Sequence, residues 1–111
     1  MFAESRNHTQ CDVSVIILTR NEERNIRQAV ESVNDWAGAV FVVDSFSTDS
    51  TVSIAEALGC HVVQNRFQGY SAQRNWAIQS LPIATEWILF LDADEWMSED
   101  LKSEIARVLG R

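Results

Sequence analysis

From Trp87 to Glu95 the chain reads WILFLDADE, an unbroken apolar run followed by three acids in four positions. The apolar run is typical of a buried β-strand, and in an open α/β sheet ligands bind at the carboxyl ends of the strands. Carboxylates crowded there repel one another and lose hydration unless a cation neutralises them. Mg²⁺ and Mn²⁺ prefer oxygen ligands and commonly share one or two protein carboxylates with substrate phosphates. The stretch therefore predicts a divalent-cation site, with a solvated acidic turn before the next helix as the alternative.

Length and composition indicate a single soluble globular domain, because the chain has 111 residues, of which 46% are hydrophobic and 23% charged. No apolar stretch approaches the roughly 18 residues that a membrane-spanning helix needs. The formal net charge of −7 argues against nucleic acid as a partner, since that interaction depends on clustered lysine and arginine. Peripheral association with a membrane is left open.

The polar beginning of the chain differs from the rest. Residues 1–11 are predicted to be a flexible N-terminal tail, and residues 12–111 form the predicted α/β domain. The tail lacks the basic-then-apolar order of a secretion signal, so we expect a cytoplasmic protein, with the inner face of the membrane left open. Cys11 and Cys60 are too few for a disulfide framework and are interpreted as small buried apolar residues.

Strand and helix patterns alternate along the whole domain. Thr19 and Glu22 have the spacing of a capping box for the first helix, Gly59 ends the second, and Ser98 begins the last. Strict alternation predicts a Rossmann-like parallel sheet with helices on both faces. The predicted strands are 13–18, 40–43, 61–63 and 87–91, and the predicted helices are 22–34, 49–58, 71–79 and one that carries Leu101, Ile105, Val108 and Leu109.

Polar clusters follow the strands or begin the helices that face them, so one rim of the sheet should collect them. Neither GxGxxG nor GxxxxGK(S/T) occurs, and the first helix opens with Glu22 and Glu23, which would repel a phosphate. A phosphate at this rim would instead be held by a metal ion and Arg74. The clusters are Thr19–Glu22, Asp44–Asp49, Gln73–Asn75 and Asp92–Glu95.

Four segments carry a family resemblance in their order along the chain: VSVIILTRNE at 13–22, VVDSFSTDST at 42–51, GYSAQRN at 69–75 and LFLDADE at 89–95. Together they resemble the nucleotide-sugar-binding donor half of family 2 glycosyltransferases with the GT-A fold. Within that family they are most similar to the β-1,4-glucosyltransferase-like branch of lipopolysaccharide core assembly. A single DxD motif is common, but four motifs on the matching elements are specific.

The resemblance implies a uridine diphosphate sugar as the donor and a saccharide as the acceptor. It places Thr19, Asn21 and Glu22 in the nucleoside pocket. Asp44 would reach the uracil or the ribose, and Arg74 would help to hold the nucleotide.

The same resemblance implies that Asp94 is the direct ligand of Mg²⁺ or Mn²⁺, which in turn binds the diphosphate. Asp92 would lie near both the ribose and the metal ion. A cation at the diphosphate would offset the charge that grows on the leaving group as the sugar passes through an oxocarbenium-like state.

Structural roles compete at several of these positions. Asp44 and Asp49 are also compatible with an Asx turn and a helix cap, and we assign Ser47 with Asp49 to that role. Arg74 could pair with a surface glutamate, and Trp96 is the one tryptophan to which we give a substrate role. The other three are expected in the core: Trp36, Trp76 and Trp87.

Two departures from the family pattern are visible. The family commonly has a second acid and a glycine where this chain has Ser45 and Phe46. Its members also continue into an acceptor half that supplies the general base, whereas this chain stops at Arg111 and offers no assignable catalytic base. We therefore expect a truncated glycosyltransferase that is inactive alone, with the strand at 87–91 at an open edge that promotes self-association.

Two other function classes compete with the enzyme. A non-catalytic module that holds nucleotide and metal remains the alternative. A receiver-type signalling domain is disfavoured, because it needs an acidic pair directly after the first strand, where this chain has Thr19 and Arg20.

Overall fold

The computed structural model describes residues 10–110, and within them strands and helices alternate strictly, as predicted. The first strand begins at Cys11, one residue before the predicted domain start, and residues 1–9 of the predicted tail lie outside the described residues. The strands are β1 (Cys11–Thr19), β2 (Ala37–Asp44), β3 (His61–Gln64) and β4 (Trp87–Asp92), and the helices are α1 (Ile26–Glu31), α2 (Thr51–Ala57), α3 (Tyr70–Ser80) and α4 (Glu99–Leu109).

The strands form one parallel sheet in the order β3-β2-β1-β4, which confirms the predicted Rossmann-like arrangement. Thr19 pairs with Asp44 at the end of β1, and Leu18 pairs with Asp92 at the end of β4. Asp44 pairs in turn with Gln64 of β3. This register brings the carboxyl ends of all four strands to one rim.

Helices cover both faces of the sheet, as predicted. Val15 and Ile17 of β1 point into a cluster with α1, α2 and α4, whereas Ile16 points into a second cluster with Ala77 of α3. All three β1 side chains are fully buried. The continuous apolar run in β1 follows from this position, because a central strand covered on both faces has no solvent-facing side.

The first predicted helix is shorter than its pattern, since α1 begins at Ile26 and its N-cap Asn25 makes no side-chain cap hydrogen bond. The capping-box prediction is wrong. Thr19 ends β1, and its hydroxyl donates to Asp44 Oδ1 at 2.7 Å, a charged acceptor that forms a stronger bond than a helix amide would provide. Residues 22–25 form a turn instead, in which Asn25 N and Ile26 N both donate to the Glu22 carbonyl.

The other helix boundaries agree better with the sequence. Gly59 has a φ of 88° after α2, which confirms the predicted left-handed stop. Ser98 accepts a hydrogen bond from Leu101 N at 3.1 Å and so caps α4. No helix between residues 10 and 110 is long and apolar enough to cross a membrane.

The tryptophans and cysteines follow their predictions only in part. Trp36 and Trp76 pack against the two core clusters, but Trp87 is 46% exposed because it begins the edge strand β4. The core prediction for Trp87 is therefore wrong. Cys11 and Cys60 are half-buried thiols, and burial raises the pKa of Cys60 to about 11.

Candidate functional site

Two adjoining cavities lie at the carboxyl rim of the sheet. We call them the aromatic cavity, of about 250 Å³, and the acidic cavity, of about 370 Å³. Leu18, Glu22 and Tyr70 border both, so the two form one continuous depression. The aromatic cavity is completed by Thr19, Arg20, Ser45 and Phe67, and the acidic cavity by Arg74, Asp92, Ala93 and Asp94.

Asp44 is buried at the centre of this rim. Its carboxylate accepts hydrogen bonds from Thr19 Oγ1 at 2.7 Å, from Ser47 N at 2.8 Å and from Ser47 Oγ at 2.5 Å. Burial raises the pKa of Asp44, but the hydrogen bonds from Ser47, Thr19 and Gln64 together outweigh it and hold the pKa below its usual value. Asp44 therefore stays ionised and joins the end of β1 to the loop after β2.

The loop after β1 is clasped to the loop after β2 by further polar contacts. Asn21, with a φ of 54°, donates its amide N–H to Ser47 Oγ and accepts from Thr48 N at its side-chain Oδ1, both at 2.8 Å. Glu22 N donates to Thr51 Oγ1 at 2.8 Å. These contacts leave the Glu22 side chain beside both cavities, while Asn21 acts as a bridge between loops.

Asp49 belongs to the same clasp. Its carboxylate accepts from Thr51 N at 2.9 Å and from Glu23 N at 3.3 Å. Burial raises the pKa of Asp49, but the hydrogen bonds from Thr51 and Glu23 lower it by more, so the net shift of the pKa is downward. The contact with Thr51 agrees with the predicted Asx turn at Asp49, but the predicted helix cap is not at Asp49, since the N-cap of α2 is Ser50, which makes no side-chain cap hydrogen bond.

The acidic segment after β4 differs from the crowded cluster that its spacing suggested. Asp92, Asp94 and Glu95 are all exposed, so water screens their repulsion and the predicted loss of hydration does not occur. Glu95 turns back to accept from Asp92 N at 3.0 Å, which closes the turn. Asp92 and Asp94 remain directed to the acidic cavity.

A divalent cation fits this donor set. Across residues 10–110 no three His, Cys, Asp or Glu side chains converge into a closed cage. The exposed oxygens of Asp92 and Asp94 nevertheless border one cavity, and oxygen donors are what Mg²⁺ and Mn²⁺ prefer. A cation here would take one or two of these carboxylates and fill its remaining positions with phosphate oxygens and water, a common arrangement for Mg²⁺.

Arg74 lies on the first turns of α3 beside the acidic cavity. Its guanidinium carbon is 6.0 Å from the Tyr70 ring centroid and 5.8 Å from that of Phe90. In the described part of the chain it forms no ion pair, so the alternative of a surface pair with glutamate finds no support there. Cation–π contact with these two rings restricts the side chain and does not neutralise its charge, so the charge is available to an anion.

Sequence reasoning missed the aromatic wall of the rim and the buried amide behind it. Phe67 and Tyr70 stand edge to face, with ring centroids 5.1 Å apart, and both line the aromatic cavity. Gln73, only 1% exposed, lies behind them on α3. Phe67 belongs to no motif in the sequence, and the sequence pattern shows Gln73 only as a member of a polar cluster. Trp96, for which we expect a substrate role, is 57% exposed and borders a neighbouring groove beside β4, which Asp94 also lines.

Comparison with known sequences places the chain among glycosyltransferases. The family described as Glycosyl transferase family 2 matches residues 14–111. An uncharacterized glycosyltransferase of Rickettsia felis is 45% identical over 93 residues, which cover 84% of this chain and 32% of the relative. Glycosyltransferase SunS of Bacillus subtilis is 34% identical over 95 residues, which cover 83% of this chain and 22% of SunS. The chain thus spans about a third of the length of the first of these relatives and less of the second.

Solved structures share the fold. Glucosyl-3-phosphoglycerate synthase from Mycobacterium tuberculosis, in complex with UDP, superposes with a TM-score of 0.66 at 23% identity, covering 78% of this chain and 35% of the synthase. Mannosyltransferase PcManGT from Pyrobaculum calidifontis, in complex with GDP-Man and Mn²⁺, gives 0.71 at 24% identity, covering 87% of this chain and 31% of PcManGT. At this level of identity the likeness establishes the fold alone.

Proposed function

The chain belongs to glycosyl transferase family 2, and on that basis we propose that it is a donor-binding half that holds a uridine diphosphate sugar through a divalent cation. The observation that carries the proposal is the acidic cavity, where two exposed carboxylates and the guanidinium of Arg74 border one space of about 370 Å³. Neighbours with the same fold hold UDP in the Mycobacterium tuberculosis synthase and GDP-Man in PcManGT, so the choice of a uridine nucleotide rests on the four sequence motifs.

The charge of the acidic cavity favours a cation when a diphosphate binds. Glu22, Asp92 and Asp94 outweigh Arg74, so the acidic cavity has a formal charge of −2 before any ligand enters. The chain as a whole carries −7. A diphosphate would add further negative charge, and a divalent ion between carboxylate and phosphate oxygens offsets it. The Mn²⁺ complex of PcManGT supports Mn²⁺ as the divalent ion, with Mg²⁺ as the other candidate.

We assign the residues of the site as follows. Asp94 is the proposed direct ligand of the cation, with Asp92 beside it and near the ribose. Arg74 contacts the diphosphate, because its guanidinium borders the same cavity and is free to bind an anion. The remaining members line or support the nucleoside pocket: Thr19, Asn21, Glu22 and Asp44.

Asp44 is fully buried and lines neither cavity, so we give it a supporting part in place of the direct contact with uracil or ribose that the resemblance implies. Its carboxylate is buried and already accepts three hydrogen bonds, so it holds Thr19 and Ser47 in place around the nucleoside. Asn21 acts similarly through its contacts with Ser47 and Thr48.

For the whole protein we propose hexosyl transfer to a saccharide, with the lipopolysaccharide core as the acceptor that the four sequence motifs favour. The cation would stabilise the charge on the departing UDP. We assign no general base among residues 10–110, and such a base typically contributes about 10²- to 10⁴-fold in rate. The described half should therefore bind the donor without transferring it. A cytoplasmic location, at the inner face of the membrane, would suit a lipid-linked acceptor.

Titration calorimetry tests the donor proposal. UDP-glucose should bind in the presence of Mn²⁺ and lose its affinity when a chelator is added. Arg74→Gln should weaken binding, whereas Arg27→Gln, which removes an exposed arginine paired with Glu31 on α1, should not. Tight binding in chelator would refute the role of the cation. Acceptor-dependent release of UDP would contradict the assignment of a donor-binding half without a base.

A further inference from the structure

A buried glutamine amide lies directly behind the candidate site. Gln73 on α3 is 1% exposed, and a buried amide is costly unless its polar atoms are hydrogen-bonded. Its Nε2 donates to Ser45 Oγ and to the Asn65 carbonyl, both at 3.2 Å. Its Oε1 accepts from Asn65 Nδ2 at 2.7 Å. Every polar atom of the side chain is therefore paired, which restricts it to one orientation.

These hydrogen bonds join three parts of the rim. Ser45 follows β2, Asn65 follows β3, and Gln73 belongs to the helix that carries Arg74. Asn65 N also donates to the Asp44 carbonyl at 2.9 Å. A single side chain thus ties the loops after two neighbouring strands to α3, at the position where those loops border the aromatic cavity.

The contact also determines what Ser45 offers to a ligand. The Ser45 oxygen accepts from Gln73 Nε2, and a hydroxyl has only one hydrogen. Within residues 10–110 that hydrogen has no acceptor, and Ser45 lines the aromatic cavity. Gln73 therefore leaves Ser45 as a donor toward the cavity.

The aromatic wall depends on the same glutamine. Phe67 and Tyr70 lie in the segment between Asn65 and Gln73. Two hydrogen bonds between Asn65 and Gln73 join the ends of this segment to each other. The rings contact each other edge to face across this closed segment. Aromatic faces on one wall and a hydroxyl donor on another suit a flat heterocycle with carbonyl acceptors.

We propose that Gln73 is a positioning residue, which holds the Ser45 hydroxyl and the Phe67–Tyr70 wall in the arrangement that receives the nucleoside of the donor. This inference rests on the proposed function. Gln73 itself does not touch the nucleotide, and it acts through Ser45 and through the segment that it closes.

The test compares Gln73→Met, which keeps the size of the side chain and removes its hydrogen bonds, with Ser14→Ala. Ser14 is fully buried and pairs with Thr85 at 2.6 Å near the opposite end of the sheet, so its loss is a matched structural defect. Gln73→Met should raise the Kd for UDP with Mn²⁺ about tenfold, and Ser14→Ala should leave it unchanged although both lower the melting temperature. Equal Kd changes in the two variants would overturn the inference.

A double variant separates positioning from general damage. If Gln73 acts partly through Ser45, adding Gln73→Met to Ser45→Ala should weaken UDP binding by less than the product of the two single effects. Effects that multiply independently would contradict this link. If Gln73→Met does not fold, Asn65→Ala, which removes the donor to Gln73 Oε1, should likewise raise the Kd for UDP, and an unchanged Kd would contradict the inference.

Hydrogen exchange provides a measurement without ligand. Gln73→Met should speed exchange at the amides of Asn65 and Phe46, which donate to Asp44 O and to Gln64 Oε1, by about tenfold relative to the centre of β1. Unchanged exchange there would overturn the inference. If the parent chain fails to bind UDP, the proposed function fails, and exchange still decides whether Gln73 orders the rim.

Discussion

The loop after β2 contains a residue in a conformation that should prefer glycine. Phe46 has a φ of 53°, in the left-handed region, and it is 62% exposed. Its backbone N–H donates to Gln64 Oε1 at 2.8 Å, a hydrogen bond that both glycine and alanine can retain. We predict that Phe46→Gly is more stable than Phe46→Ala, the reverse of the usual order for these two residues.

The magnitude follows from two opposing contributions. Full burial of a phenylalanine side chain stabilises by ~1.5–3 kcal/mol, so the roughly one third of Phe46 that is covered contributes about 1 kcal/mol. Both substitutions lose that contribution. A residue with a Cβ pays about 1–2 kcal/mol in the left-handed region, and glycine does not, although its more flexible unfolded chain returns part of that gain. Phe46→Gly should therefore match the parent within about 1 kcal/mol and exceed Phe46→Ala by about 1 kcal/mol.

Thermal unfolding followed by circular dichroism measures this difference. About 1 kcal/mol corresponds to about 4 °C in a domain of this size. The control is Glu56, an exposed residue inside α2, where the glycine variant should melt below the alanine variant by a similar amount. If Phe46→Gly also melts below Phe46→Ala, the left-handed conformation does not govern this position and the reasoning is refuted.

Three further predictions concern charge and assembly. Asp94→Asn should remove the shift in melting temperature that UDP with Mn²⁺ produces. It should not lower the melting temperature of the free chain, because the Asp94 carboxylate is exposed. Asp100→Asn, which changes another exposed acid, should keep the shift, and equal shifts in the two variants would refute Asp94 as the cation ligand. Hydrogen bonds hold the pKa of Asp44 below its unfolded value of about 3.9, so the stability that it contributes is present above that pH and is lost as the pH falls through the lower folded pKa. Melting temperature in an acid titration should therefore fall less steeply for Asp44→Asn than for the parent, and identical slopes would argue against this role. β4 is an edge strand of the described sheet and begins with exposed Trp87, so we expect self-association through this edge. Light scattering over a dilution series should show dimers or larger species, and Trp87→Lys should reduce them. A monomer at high concentration would count against association through β4.

The sequence by itself determined the alternation of strands and helices and the parallel sheet. A continuous apolar run such as the one in β1 favours a strand covered on both faces, although the similar run in β4 lies on an edge strand and is only partly buried, and a helix between successive strands makes them parallel. The position of Asp92 and Asp94 at a strand end also followed from sequence, because the apolar run that precedes them terminates there. These features depend on neighbours along the chain, which a pattern of residues records.

Only the tertiary structure decided how the polar side chains of the rim are used. Thr19 has the spacing of a helix cap, yet it donates to Asp44, 25 residues away in sequence, because strand register places the two side by side. Gln73 looks like a surface residue of a polar motif, yet it is buried against Ser45 and Asn65. Each side chain has several possible partners of similar local merit. Which one it meets depends on the packing of elements that lie far apart in sequence, and that packing is set by the whole core.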